Sequence, residues 1–268
     1  MSKKSKPVLK VLDGGVEEQV PMFDVMVAVP CGENVTADFA RSLALMMGYS
    51  AVKLVAENIA RIRVRFMKNT YIDAARFKLV QEAANAGCSH MLWLDSDMKF
   101  PKETLEHLLQ RNKLIVGANY STRLGAPRPV TFKHVDVTDQ GGHVYCYTTP
   151  ESTGLEQVDA LGFGCVLVDM EVFYAKIKPP FFKVTWDDKG VSMTGEDVHF
   201  CQLARAAGVD IFVDHDLSQA IEHGGFFSFK NEHAALIPEA REAAAAELAE
   251  RKAILDSKPQ TPKLIVEG

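Results

Sequence analysis

An α/β fold is predicted, with a mostly parallel central sheet, helices on both faces, a small antiparallel β insertion and a C-terminal helix. Three observations predict it. Between residues 23 and 119, short apolar runs alternate with amphipathic segments, the pattern of strands joined by helical crossovers. Three of those runs, Phe23–Pro30, His90–Leu94 and Lys113–Asn119, are apolar nearly throughout, as strands covered on both faces must be. From Tyr120 onward the runs become short and alternating and are separated by Gly and Asp, as in antiparallel strands.

The chain has 268 residues, 47% hydrophobic and 24% charged, enough for one large domain with appendages. The expected division is an N-terminal arm over 1–21, the main domain over 22–230, and a C-terminal helix and tail over 231–268. A formal net charge of -5 excludes the global basic field that drives non-specific nucleic-acid binding. Cys31, Cys88, Cys146, Cys165 and Cys201 are scattered, odd in number and never spaced Cys-x-x-Cys. They read as reduced thiols in a cytoplasmic protein without structural zinc. The basic start Met1-Ser-Lys-Lys precedes no apolar core, and no run approaches the ~18 apolar residues of a membrane span. Neither a signal peptide nor membrane insertion is expected.

Phe23–Pro30 is the first strand, stopped by Pro30 and Cys31-Gly32-Glu33-Asn34. Thr36 then caps a helix to about Met47, with Phe39, Leu43, Met46 and Met47 at helical spacing. Ala51–Ala56 reads as a further strand. Arg61–Phe66 alternates strictly, giving a strand with one basic face that is either solvated or turned to phosphate. A helix over 69–86 ends at Gly87 and buries Ile72, Leu79, Val80 and Ala83. The strand His90–Leu94 runs into Asp95-Ser96-Asp97, and a helix over Lys102–Arg111 follows Pro101. After the strand 113–119, the runs 130–137, 142–148 and 157–160 form the antiparallel insertion.

Gly162-Phe-Gly164 leads into the strand Cys165–Asp169. A dinucleotide fingerprint would lead into a helix instead. A short helix to Ile177 is closed by Pro179-Pro180, and Phe181–Trp186 reads as a strand before a polar loop. The helix Glu196–Ala207 carries acids in its first turn and stops at Gly208. The strand Val209–Val213 leads through Asp214-His215-Asp216 to His223-Gly224-Gly225. Residues 238–254, rich in Ala and Glu, read as a surface helix or one that joins copies of the chain.

Asp95 and Asp97 stand at the tip of a buried strand, beside the crevice where open α/β sheets bind ligands, and both could reach one bound ion. Asp214 and Asp216 repeat the pattern after another apolar strand and are their rivals. The first pair is preferred because its strand lies between two helical crossovers. His223 is either a loop histidine bonded to backbone or a ligand beside glycines that let backbone approach a phosphate.

Val27-Ala-Val-Pro30, Ala75-Arg76, Leu94-Asp-Ser-Asp97, Leu161-Gly-Phe-Gly164, Gly195-Glu-Asp197 and His223-Gly224 follow one another in that order. Between about Asp24 and Gly225 the chain thereby resembles the nucleotide-sugar glycosyltransferases of the GT-A fold, in their family-2-like group. The resemblance implies a GT-A-like sheet and transfer of a sugar from a UDP- or GDP-linked donor to an acceptor hydroxyl. That hydroxyl would belong to a glycan, a small molecule or a modified nucleic acid. It implies Mn²⁺ or Mg²⁺ held by Asp97, Asp95 and His223, with Asp95 also reaching the ribose. Asp197 would be the base of an inverting displacement and Glu196 would position acceptor or loop. Pro30 and Glu33 would edge the nucleotide base, Gly162 and Gly164 would approach substrate, and Arg76 and Arg123 would pair with diphosphate oxygens.

Trp186 would stack on an acceptor ring. The plainer readings make Arg76 a helix-surface arginine, Trp186 a core residue, and Glu196 and Asp197 helix-terminus stabilisers. The acidic residue often found shortly after the first strand in that group is missing, and no acceptor motif is recognisable. A nucleotidyltransferase acting on a sugar phosphate is an alternative, but Cys31-Gly32-Glu33 poorly matches the glycine-rich basic loop it needs. A non-catalytic nucleotide-sugar-binding or assembly protein of the same fold is the other.

Overall fold

The structure, a computed structural model, describes residues 8–11, 17–20, 22–123, 128–134, 143–186, 190 and 193–225. Within the arm, β1 (Val8–Val11) and β2 (Glu17–Val20) pair antiparallel. In chain order there follow β3 (Phe23–Cys31), α1 (Ala37–Ser50), β4 (Ala60–Lys68), α2 (Ile72–Asn85), β5 (His90–Leu94) and β6 (Met98–Lys99). Next come α3 (Thr104–Gln110), β7 (Ile115–Gly117), β8 (Phe132–His134), β9 (His143–Tyr145), β10 (Leu155–Val158) and β11 (Cys165–Asp169). Last are β12 (Thr185–Trp186), β13 (Met193–Thr194), α4 (Glu196–Ala206), β14 (Ile211–Asp214), α5 (His215–Ser218) and β15 (Glu222–His223).

Seven strands form the central sheet in the order β10-β14-β7-β11-β5-β3-β4. β4, β3 and β5 run parallel, as do β7 and β14, whereas β11 is antiparallel to β5 and β7, and β10 to β14. Side chains of a strand alternate between faces, so each buried strand feeds two cores. Val25, Val27 and Val29 of β3 with Leu92 and Leu94 of β5 meet Phe39 and Met46 of α1 and Leu105 and Leu108 of α3. Met26, Ala28, Met91 and Trp93 meet Leu79 and Ala83 of α2 and Phe200 and Ala204 of α4 on the other side. The crossover through α1 places β4 on one side of β3, and the crossover through α2 returns to place β5 on the other. That reversal opens a crevice beyond the tips of β3 and β5. Pro30 is tolerated there because it lies past the last β5 partner of β3, Ala28.

Five expectations change. α2 begins only at residue 72 and leaves Ile72 exposed. Ala51–Val55 is a π-helical turn continuing α1, not a strand. Gly48 lies inside α1 without breaking it, no residue from 49 to 57 is a glycine or proline, and the chain turns at Asn58, whose φ is 53°. β10 leaves the insertion and joins the sheet edge beside β14, while β8 and β9 pair as expected. Phe181 and Phe182 do not extend a strand: both are buried, and Phe182 stacks on Phe200 with centroids 5.4 Å apart. Trp186 is 60% exposed and is no core residue.

The basic face of β4 is matched by acids. Arg61 and Arg63 reach Asp24 at 3.4 and 2.8 Å, and Arg65 reaches Glu82 at 3.5 Å. Among the described residues no helix is long and apolar enough to cross a membrane. The helix expected over 238–254 and the tail 231–268 lie outside the described residues.

Candidate functional site

β5 ends in a turn that turns its acids into the crevice. Asp95 N–H donates to the Gly164 carbonyl at 3.1 Å, Met98 N–H donates to the Asp95 carbonyl at 3.1 Å, and Thr36 N–H donates to the Ser96 carbonyl at 3.1 Å. Thr36 in turn caps α1 by accepting Phe39 N–H, so the helix start and the acidic turn are fixed together. The resulting cavity, about 470 Å³, is lined by Pro30 and Cys31 of β3 and Gly32 just after it, by Asn69, Thr70, Ile72, Ala75 and Arg76 around the start of α2, and by Asp95, Ser96 and Asp97. Arg123, Glu196, Asp197 and His223 complete it. Eight of the residues singled out from sequence therefore share one cavity.

His223 reaches this wall through β15, which pairs with β6 so that His223 sits opposite Met98. Asp97 Oδ1 lies 3.5 Å from His223 Nε2, and Asp97 Oδ2 lies 2.9 Å from Arg123 Nη2. His223 Nδ1 contacts the Ser121 carbonyl at 2.9 Å, which makes Nδ1 the donor and directs Nε2 at Asp97. Gly224 N–H donates to the Asp97 carbonyl at 2.8 Å, and a Cβ on Gly224 would stand 2.8 Å from that same oxygen. Gly224→Ala is therefore expected to part β15 from β6 and weaken any ligand held by Asp97 and His223. Calorimetric titration of the variant checks this, and unchanged affinity would contradict the tight packing.

Asp95 faces the opposite partner. Its Oδ1 accepts from Arg76 Nη2 at 3.1 Å, while Arg76 Nε donates to Glu196 Oε1 at 3.1 Å. Arg76 is 2% exposed and lies against the Trp93 and Phe163 rings, 5.5 and 5.2 Å from their centroids. It is thus neither a surface arginine nor a free fork for a diphosphate: it bridges β5 and α4. Among the described residues, one group of three His, Cys, Asp or Glu side chains converges closely enough to hold a metal ion, Cys146, Glu156 and His215. Asp95 does not join Asp97 and His223 in such a group. The expected three-ligand set is not assembled: Asp95 turns to Arg76, while Asp97 and His223 face each other across 3.5 Å. Such a pair suits a divalent ion that takes its other ligands from phosphate and water.

Burial pushes Asp95 above the usual carboxylate range against the pull of Arg76. Burial also pushes Asp97 up, but His223 and Arg123 outweigh it and hold Asp97 below that range. The hydrogen bond to Asp97 raises His223. Asp197, at the first turn of α4, is raised to about 6, chiefly by burial and then by Glu196 beside it.

The rival acids are structural. Asp214 is fully buried; its Oδ2 takes Arg111 Nε at 2.6 Å and lies 2.7 Å from His107 Nε2, and its Oδ1 caps α5 by accepting Leu217 N–H. Asp216 accepts from Arg111 and from Gly154 N–H. Neither lines the cavity.

Four other expected residues lie off the cavity wall. Glu33 is exposed and bonds Asn69 and Lys68. Gly162 and Gly164 make room for Tyr120: a Cβ on either would come within 2.7 Å of its side chain. Tyr120 Oη accepts Gly164 N–H at 2.9 Å, and its ring stands edge-on to His223 at 5.2 Å. These glycines therefore support the site through Tyr120, a residue the sequence did not single out. Trp186 is exposed on β12, away from the cavity lining.

No model of a known protein family matches the chain, and no curated protein matches it. Among solved structures, one described as "Crystal Structure of A197 from STIV" is similar at 12% identity, with a TM-score of 0.42. The match covers 78% of this chain and 97% of that one.

Proposed function

We propose that the chain is a metal-dependent glycosyltransferase that moves a sugar from a UDP- or GDP-linked donor to an acceptor hydroxyl with inversion. One observation carries the reading. The cavity of about 470 Å³ has the Asp97–His223 pair on one wall and Asp197 at a helix start on another. Its size lies within the ~300–1,000 Å³ range of small-molecule sites. Mn²⁺ or Mg²⁺ held by Asp97 and His223 would neutralise charge on the departing diphosphate.

The chain's own groups do the rest. Pro30 and Cys31 flank the donor's base, and Arg123, exposed and held by Asp97 and the Gly224 carbonyl, would exchange those partners for phosphate oxygens. Asp197 takes the proton of the acceptor hydroxyl as its oxygen bonds the anomeric carbon and the bond to diphosphate breaks. Arg76 holds Glu196, and with it the start of α4, against Asp95. Because the arginines of β4 are matched by Asp24 and Glu82, a glycan or small-molecule hydroxyl in the cytoplasm is a better acceptor than a nucleic acid.

Thermal unfolding with UDP- and GDP-sugars, with and without Mn²⁺, tests the reading. The cognate donor at ~100 times its Kd should stabilise the native state by about 2.7 kcal/mol, and only with metal present. Asp97→Ala should abolish that gain, whereas Asp216→Ala should keep it. If no nucleotide sugar gives a metal-dependent shift, the proposal fails.

A further inference from the structure

We propose that Cys146, Glu156 and His215 form a separate Zn²⁺ site that clips the inserted β region to the edge of the central sheet. The proposal is independent of the glycosyltransferase reading. Cys146 follows β9, Glu156 lies in β10, and His215 opens α5 directly after β14. Their ligand atoms all lie within 4.8 Å of one another. Glu156 Oε2 is 3.3 Å from Cys146 Sγ and 3.0 Å from His215 Nε2. Tetrahedral zinc with bonds of about 2.0–2.3 Å sets its ligand atoms roughly 3.3–3.5 Å apart, so these two separations are near what the ion requires.

The chemistry of the three donors selects the metal. A thiolate beside an imidazole and one carboxylate suits zinc, whereas Mg²⁺ and Mn²⁺ favour all-oxygen or oxygen-rich shells without sulfur. The surroundings are also those of a built site. His215 Nδ1 contacts Thr148 Oγ1 at 2.9 Å, which orients the ring with Nε2 toward the cluster. Thr148 is itself held by Asn119 Nδ2 at 3.2 Å, and Lys133 Nζ engages the other Glu156 oxygen, Oε1, at 2.5 Å. Cys146 and His215 are buried, at 8% and 4% exposure, while the Glu156 side chain is 39% exposed. A fourth ligand, water, would therefore enter from the Glu156 side. Binding free energy at such a site adds to folding free energy, because the three segments are brought together only in the native chain.

The full-length protein is to be stripped with chelator and titrated with Zn²⁺ and, separately, Co²⁺. One equivalent of Zn²⁺ per chain is expected at this site, retained in Asp97→Ala. Co²⁺ should give a thiolate-to-metal charge-transfer band in the near ultraviolet together with the intense visible absorption of a tetrahedral ion. Cys146→Ser should remove the band, and Thr148→Ala should weaken Zn²⁺ by about 10- to 100-fold, the usual effect of losing an outer contact. The wild-type cobalt spectrum reads sulfur ligation without any variant, so a misfolded mutant does not obscure the result. A wild-type chain that binds Co²⁺ without the thiolate band, takes up no Co²⁺, or keeps the band in Cys146→Ser overturns the proposal.

Discussion

Asp197→Asn is expected to lower kcat by about 10²–10⁴-fold while nucleotide and metal affinity stay near wild type. The residue stands at the first turn of α4 on the cavity wall, and burial with the neighbouring Glu196 raises it to about 6. A carboxylate at that value is ionised at pH 7 and is a stronger base than an ordinary one. The wild-type kcat/KM should therefore rise with pH through about 6, and the variant should lose that limb. The same shift has a stability consequence of definite sign.

Between about pH 4 and 6 the folded chain holds a proton that the unfolded chain releases, so stability falls as pH rises through this window. At pH 7 the ionised Asp197 costs on the order of 1–3 kcal/mol. The Asn variant should accordingly melt higher than wild type at pH 7 and show no such advantage near pH 3. Near-normal turnover would remove Asp197 as the base. A product that keeps the donor's anomeric configuration would demand a different role for it.

Arg76→Met should destabilise the fold by about 3–5 kcal/mol, the cost of leaving a buried ion pair with one partner missing. Two carboxylates lose their cation at once, Asp95 at the tip of β5 and Glu196 at the start of α4. The methionine packs against Trp93 and Phe163 as the arginine does but cannot answer either charge. Arg76→Lys is expected to recover little, because a point charge does not span the two acceptors that Nε and Nη2 reach separately. Urea midpoints measure the loss. A shift of less than ~1 kcal/mol for Met would mean that the bridge is not what aligns the two walls.

The parts of this architecture that could be read from residues alone are those set by local pattern. β3 and β5 announce themselves because strands covered on both faces need uninterrupted apolar residues, and α2 because Gly87 supplies the positive φ, 68°, that ends it. The acids at residues 95, 97, 196 and 197 were visible as pairs at element ends. What was hidden depends on partners far along the chain. Arg76 looks like any helix arginine until Trp93, Phe163, Asp95 and Glu196 close around it.

Asp214-His215-Asp216 repeats the motif of Asp95-Ser96-Asp97 and ranked behind it only by its place in the strand order, whereas Arg111 and His107, far away in sequence, are what occupy its acids. The cluster of Cys146, Glu156 and His215 has no sequence spacing to betray it, since β9, β10 and α5 meet only through the sheet edge. Ala51–Val55 misled because a short apolar run with no breaker suits a helix end as well as a strand.

The two-residue ladder between β6 and β15 joins Met98-Lys99 to Glu222-His223, and its Lys99–Glu222 pair spans 123 positions of chain. So small a ladder between such distant segments rests on a few flanking contacts, to Asp97, Ser121 and Arg123, unlike the nine-residue pairing of β3 with β4. Its amides should exchange with deuterated solvent orders of magnitude sooner than those of β3 and β5, through openings that leave the sheet intact. Each opening carries His223 away from Asp97, so the apparent affinity for any ligand they share is scaled by the fraction of time the ladder is shut. A saturating ligand would then slow exchange at Met98 and His223 while leaving the β3 amides unchanged.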